Sequence, residues 1–203
     1  MKPGIIVPFR NREEHLKISA PVLKRFGQVY VIEQVGKSPF NRGKLINAGF
    51  LEFKKEFDYF IAHDVDMIPE EADYSFCENP CHLARRVEQF NYGVPYEDYF
   101  GGVTLIPNSK FEDANGFSNS YWGWGGEDDE LKRRFLSRNI KIENRNCKFK
   151  SLHHNRNIDK TLLAANRTVL KQPVDWANGL SSCEYEVVHC EDFENYTLLQ
   201  VKL

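Results

Sequence analysis

Asp64 and Asp66 stand one residue apart, where an apolar run ends at His63. Side chains alternate along extended chain, so both carboxylates are expected on one face, with Val65 turned into the core. Two acidic oxygens on one face suit a divalent cation or a sugar hydroxyl, although a solvated turn can hold the same residues. A second group is Tyr121-Trp-Gly-Trp-Gly-Gly-Glu-Asp-Asp-Glu130. Trp122 and Trp124 lie between glycines that cannot anchor a core, and Gly125-Gly126 permits backbone conformations closed to other residues. This reads as a mobile loop carrying indoles. The acids that follow open a helix, near whose amino terminus the dipole helps keep Asp128 ionised. An ionised carboxylate beside flat aromatic surface is what a sugar hydroxyl needs in order to be stacked and deprotonated. Helix-end charge alone would explain the acids but not the tryptophans and glycines.

Two basic groups complete the set. Pro8-Phe-Arg-Asn-Arg12 and Phe40-Asn-Arg-Gly-Lys44 each follow an apolar run. Guanidinium groups recognise phosphate and a phenyl face can stack on a base, so a nucleotide diphosphate with a metal accounts for them better than solvated loop ends. His153-His154 is a structural or solvent-facing pair, or one imidazole joins Asp66 in an oxygen and nitrogen site that suits Mn²⁺ better than Mg²⁺. Cys77 and Cys81 could be half of a zinc site, but no matching pair lies nearby and five sparse cysteines indicate ordinary thiols.

The elements that must position these residues follow from periodicity. Ile5-Ile6-Val7 is a buried strand between Gly4 and Pro8. Asn11 with Glu14 fits a capping box, which predicts a helix from Arg12 to about Ser19 and a second opened by Pro21 and closed by Gly27. Val29 to Val35 is a strand, Lys44 to Lys55 a helix with Ile46, Phe50 and Phe53 on one face, and Phe57 to His63 a third strand. This alternation predicts a parallel sheet covered on both faces, with ligands beyond the carboxyl ends of the strands. Residues 67 to 102 are loop-rich, Val103 to Ile106 is a strand, Glu127 to Arg138 a helix and Ile140 to Leu152 β-like. Tyr185 to Val187 and Thr197 to Val201 are expected to pair as an antiparallel edge.

Composition closes off other classes. The length suits one domain, and 27 Lys plus Arg against 29 Asp plus Glu, with no block of one sign, argues against nucleic-acid binding by counterion release. No run approaches the roughly 18 apolar residues of a membrane helix, so no membrane span is expected. Aromatic residues crowd into 96 to 124, as if lining a ligand surface.

In this order, Pro8-Phe-Arg-Asn-Arg-Glu-Glu-His15, Phe40-Asn-Arg-Gly-Lys-Leu-Ile-Asn47, Asp64-Val-Asp66, Tyr99-Phe-Gly-Gly102, Gly116-Phe-Ser-Asn-Ser-Tyr-Trp-Gly-Trp-Gly-Gly-Glu-Asp-Asp129 and a later His resemble the β-1,4-galactosyltransferase family. The resemblance extends through the tail and covers nearly the whole chain. It implies one catalytic domain over residues 1–203 with an α/β GT-A fold, a mainly parallel central sheet and a small antiparallel edge. It also implies a UDP-sugar donor, a glycan acceptor, Mn²⁺ and inversion at the anomeric carbon. By position, Pro8, Phe9, Arg10, Arg12, Phe40 and Arg42 would hold uridine and diphosphate, and Asp64 with Val65 would touch the donor. Asp66 and His154 would ligate Mn²⁺. Trp124 would close over the donor, Glu127 would bind its sugar and Asp128 would be the base. Tyr99 stands where members using UDP-galactose carry Tyr and those preferring N-acetylgalactosamine carry a smaller aliphatic residue. Phe90, Tyr96 and Asp129 would face the acceptor. The family's second metal ligand, a Met three residues or a His two residues before the metal His, is replaced by Ser151 and Leu152, so His153 or water is expected to substitute. The setting implied is cytoplasmic if the chain is complete and the Golgi lumen if it is a trimmed catalytic domain. The Gly-Trp loop and residues 155–170 are expected to be lids, and Asn166-Arg-Thr168 and Asn195-Tyr-Thr197 are possible glycosylation triplets. Tyr99 favours galactose, and the rival readings are N-acetylgalactosaminyl transfer by the same mechanism, a metal-dependent UDP-sugar phosphohydrolase and a sugar-binding module without catalysis.

Overall fold

A computed structural model describes residues 3–155 and 158–203. The chain opens as expected, with β1 (Gly4–Phe9), α1 (Glu13–Leu23), β2 (Gln28–Val35), α2 (Arg42–Phe53) and β3 (Tyr59–His63). β2 and β3 flank β1 in parallel register, Ile5 opposite Val29 on one side and Ile61 on the other. All six residues of β1 are buried, because helices and loops cover both faces of the sheet. Ile5, Val7 and Ile61 belong to one core with Leu16 and Leu23 of α1. Ile6, Phe60 and Ala62 belong to the opposite core with Ile46 and Phe50 of α2. The period-two alternation of β1 thus decides which helix covers which face.

Two local expectations differ. The segment expected as two helices is a single helix running through Pro21, where the ring removes one N–H donor and the helix ends two residues later at Leu23. No capping box forms: Arg12 occupies the cap position without a side-chain bond, and Asn11 is left-handed at φ 52°. Asn tolerates that conformation, and it lets the chain turn sharply off β1.

The loop-rich segment carries three short strands, β4 (Met67–Glu71), β5 (Cys81–His82) and β6 (Arg86–Val87), before β7 (Val103–Pro107). Then come α3 (Asn108–Asp113), α4 (Glu127–Ser137), β8 (Glu143–Asn144), β9 (Lys148–Ser151), α5 (Lys160–Leu170), β10 (Glu186–Asp192) and β11 (Thr197–Lys202). The main sheet has the order β10-β11-β2-β1-β3-β7-β5-β8. Its central strands β11, β2, β1 and β3 are parallel, while β10 and β7 run antiparallel to their neighbours. The tail hairpin is therefore the antiparallel edge expected, with β11 also extending the parallel block. A small second sheet, β4-β9-β6, stands apart from it. Cys77, Cys81 and Cys147 are buried free thiols, and burial pushes Cys81 up to about 12. No helix among the described residues is long and apolar enough to cross a membrane.

Candidate active site

The candidate residues gather beyond the carboxyl ends of β1, β2 and β3. Asp64 does not continue β3 as extended chain: Asp64 to Met67 forms a turn closed by Met67 N–H donating to the Asp64 carbonyl at 3.1 Å. Val65 is buried as expected, but the two carboxylates take different partners. Arg42, at the start of α2, donates from Nε to Asp64 Oδ1 at 2.7 Å and from Nη1 to Asp128 Oδ1 at 2.7 Å. α2 is set in place by Asn41, whose side chain accepts from Lys44 N–H at 2.9 Å and donates to the Asn119 carbonyl at 2.8 Å. One guanidinium thereby ties the turn after β3 to the first turn of α4.

Asp66 Oδ2 lies 3.1 Å from His154 Nδ1. The β4–β9 ladder brings them together: Met67 pairs with Ser151, and Leu152 N–H donates to the Asp66 carbonyl at 2.8 Å. Two octahedral ligands at about 2.1 Å and at right angles stand about 3 Å apart, so this carboxylate and imidazole fit a shared divalent cation. His153 is exposed and lines a surface cavity with Glu88, Gln89, Lys150 and Leu152. Among the described residues no group of three or more His, Cys, Asp or Glu side chains comes together as a metal cluster.

Electrostatics separates the carboxylates further. Burial, with Glu127, Asp64 and Asp129 nearby, holds the Asp128 carboxyl well above the usual carboxylate range, against the pull of Arg42. Glu127 is raised chiefly by burial as well. Asp128 does sit in the first turn of α4, but the helix dipole expected to keep it ionised is outweighed by burial. Burial would lower Arg42, yet the facing Asp128 and Asp64 raise it overall. Arg42 is therefore a permanent cation between two carboxylates.

The Gly-Trp loop follows Gly123, Gly125 and Gly126 at φ 75°, 95° and 97°, conformations that glycine adopts without strain. It is tethered: Gly123 N–H donates to the Phe40 carbonyl at 2.7 Å, and Asn166 Nδ2 donates to the carbonyls of Trp122 and Trp124 at 3.0 and 3.3 Å. The Trp124 indole itself is half-exposed. Asn166, a possible glycosylation acceptor by sequence, is buried at 3% exposure, its amide committed to this loop. It sits on α5, a helix not foreseen within 155–170, and Asp159 caps that helix.

An aromatic group stands beside Asp128. Phe90 and Tyr96 each meet Tyr99 edge-on, at 5.9 and 5.5 Å between ring centroids. Tyr96 Oη donates to Asp129 Oδ1 at 3.1 Å. The three acceptor candidates are thus brought together. On the phosphate side, Arg10 donates to the Ser38 carbonyl at 2.7 Å and lies 5.3 Å over the Phe40 ring. Arg12 is partly exposed at the head of α1. Pro8 and Phe9 are buried, so the phenyl available for stacking is Phe40 alone, and Pro8, Phe9 and Val65 offer a ligand only backbone.

Three contributors escaped the sequence reading. A Cβ on Gly101 would lie 2.7 Å from Asp128 Oδ2, so this glycine makes room for the carboxylate. His82 Nε2 donates to the Gly101 carbonyl at 2.9 Å, and the ring meets Tyr99 edge-on at 5.3 Å. Arg134 sits on α4 with two other cations, Lys132 and Arg133, yet it is fully buried. It pairs with Glu130 at 3.1 Å and donates to the Asp175 and Asn178 carbonyls at 3.1 and 2.7 Å. A fixed α4 fixes Asp128. The quoted Tyr99-Phe-Gly-Gly102 motif was the available signal for Gly101; nothing marked Arg134 among its neighbours.

Comparison with known proteins agrees with this geometry. Residues 1–78 match the N-terminal region of glycosyl transferase group 7, and residues 81–156 match a family described as the N-terminal domain of galactosyltransferase. The chain is 36% identical to β-1,4-galactosyltransferase 1 of Bos taurus over 219 residues, covering 100% of this chain and 54% of that protein. It is 41% identical to β-1,4-galactosyltransferase 4 of Homo sapiens, covering 93% of this chain and 59% of the relative. The chain thus spans little more than half the length of these relatives. Among solved structures, the catalytic domain of Drosophila β-1,4-galactosyltransferase 7 with xylobiose superposes at a TM-score of 0.86 with 28% identity, covering 100% of this chain and 94% of that one. A mutant of the same enzyme, in complex with manganese, UDP-Gal and xylobiose, superposes at 0.87 with 27% identity and the same coverage. With its GT-A fold, the chain belongs to glycosyltransferase group 7, the β-1,4-galactosyltransferase family.

Proposed function

We propose that residues 1–203 form one catalytic domain that moves galactose from UDP-galactose to a hydroxyl, O4 of a sugar such as GlcNAc, glucose or xylose, with inversion at the anomeric carbon. The observation that carries this reading is the meeting of the Asp128 carboxylate with the turn that bears Asp66, through Arg42. A hydroxyl-activating group and a diphosphate-holding group must stand on opposite sides of one anomeric carbon, and this bridge supplies that adjacency.

In the proposed reaction, Asp128 takes the proton from the acceptor hydroxyl as that oxygen attacks the anomeric carbon and UDP leaves. Inversion follows from the single displacement, for which one carboxylate base is enough. Arg10 and Arg12 face the charge that develops on the diphosphate. Mn²⁺, which Asp66 and His154 would hold, supplies Lewis-acid stabilisation of that leaving group when bound. Phe40 stacks on uracil, Arg42 and Asp64 border the ribose and the donor sugar, and Glu127 binds that sugar. Trp124 covers the donor, and Phe90, Tyr96 and Asp129 line the acceptor side. Tyr99, at the position where the family's UDP-galactose users carry Tyr, favours galactose.

The test is incubation with UDP-galactose and Mn²⁺ in the presence of GlcNAc, glucose or xylose. The expected outcome is a β-linked galactosyl product, with UDP release that depends on the acceptor. Phosphate release regardless of acceptor would replace this reading with phosphohydrolysis, and sugar binding without turnover would replace it with a binding module.

A further inference from the structure

His15 ends the basic motif after β1 and lies in the first turns of α1. Its ring stands 5.8 Å from the His154 ring, centroid to centroid, edge-on at 63°. Its Nδ1 is shielded from solvent and finds no hydrogen-bond partner among the described residues. A buried polar atom left unsatisfied is destabilising, so a filled site that supplies the missing partner recovers that loss. Ligating imidazoles and carboxylates are commonly oriented by a further ring of hydrogen-bonding groups. The chain also has Ser151 and Leu152 before its His153-His154 pair, neither of which is a strong donor for a borderline cation.

We propose that His15 is the positioning residue of the cation site. Its ring fixes the His154 ring edge-on, and cation binding gives its shielded Nδ1 the hydrogen-bond partner it lacks, which compensates for the ligand that Ser151 and Leu152 do not provide. This rests on the reading that Asp66 and His154 hold Mn²⁺. His15 acts on the His154 ring rather than on the reacting sugar.

The experiment is titration of the full chain with Mn²⁺ alone, followed by electron paramagnetic resonance of the free ion, for the wild type, Asp66→Asn, His15→Phe and His15→Asn. Phe keeps the ring packing and removes the nitrogen; Asn restores a polar atom near the Nδ1 position. Expected are a roughly 10- to 100-fold weaker Mn²⁺ affinity in His15→Phe and recovery of most of it in His15→Asn. Wild-type affinity in His15→Phe, or equal loss in both variants, overturns the proposal for His15. Indifference of the affinity to Asp66→Asn would instead overturn the underlying metal assignment. Thermal melting without metal identifies a variant that misfolds. If His15→Phe does so, the comparison of His15→Asn with His15→Gln decides, and loss in neither overturns the proposal.

Discussion

Asp64 and Asp66 differ by two positions in sequence and share a side-chain type, yet the fold gives them opposite surroundings. Asp64 faces a guanidinium that is shared with Asp128. Asp66 faces an imidazole. The turn after β3 is what separates them, because extended chain would have aimed both at one ligand. One acid thereby belongs to the wiring of the proposed base and the other to the proposed cation site. An Asp-x-Asp motif need not be a two-carboxylate clamp: here a single side chain from each acid goes to a different half of the site.

Removing either half should break the comparison in a different way. The largest effect is expected from Asp66→Ala, which should abolish the Mn²⁺-dependent part of UDP affinity in calorimetry with and without chelator, while thermal stability stays near wild type. Next is Arg42→Met. Breaking a buried ion pair costs roughly 3–5 kcal/mol; the side chains of Arg42, Asp64 and Asp128 retain 11%, 31% and 24% of their surface, so the lower end of that range is expected in denaturant unfolding. In the same variant Asp128 loses the one neighbour that lowers its pKa. A base acts only when ionised, so the acidic limb of the kcat/KM profile should move to higher pH.

A smaller effect is expected from Gly101→Ala. Its methyl group would displace the Asp128 carboxylate and leave the Asp66 half untouched. Transfer should fall about 10- to 100-fold, the scale on which a misplaced catalytic group acts, with UDP affinity unchanged. The smallest is Asp64→Asn. Asp64 raises the Asp128 carboxyl, so neutralising it should shift the acidic limb to lower pH, opposite in sign to Arg42→Met. A shift in the same direction for both would show that Arg42 does not mediate between these acids.

Local pattern made the first half of the fold legible, since β1, β2, α2 and β3 announce themselves by apolar periodicity, although the Asn41 cap of α2 emerged only from the structure. It also located Asp128, because no packing need explains tryptophans interleaved with glycines before a run of acids. Sequence-distant partnerships were hidden. Met67 meeting Ser151 is what carries His154 to Asp66, and no local signal encodes that ladder. Arg134 looks like one of several solvated cations on α4, but its guanidinium is consumed by backbone carbonyls of residues 175 and 178. Asn166 reads as a surface acceptor triplet, yet it is buried under the loop it holds. Pro21 reads as a helix opener, yet the buried face of Leu16, Ala20 and Leu23 carries one helix through it.

Asp128→Asn tests the central claim most directly, with galactose transfer and Mn²⁺-dependent UDP binding measured on the same preparation. The account predicts a loss of transfer of about 10² to 10⁴, the usual worth of a general base, with UDP affinity retained. Transfer at the wild-type rate in that variant would contradict it.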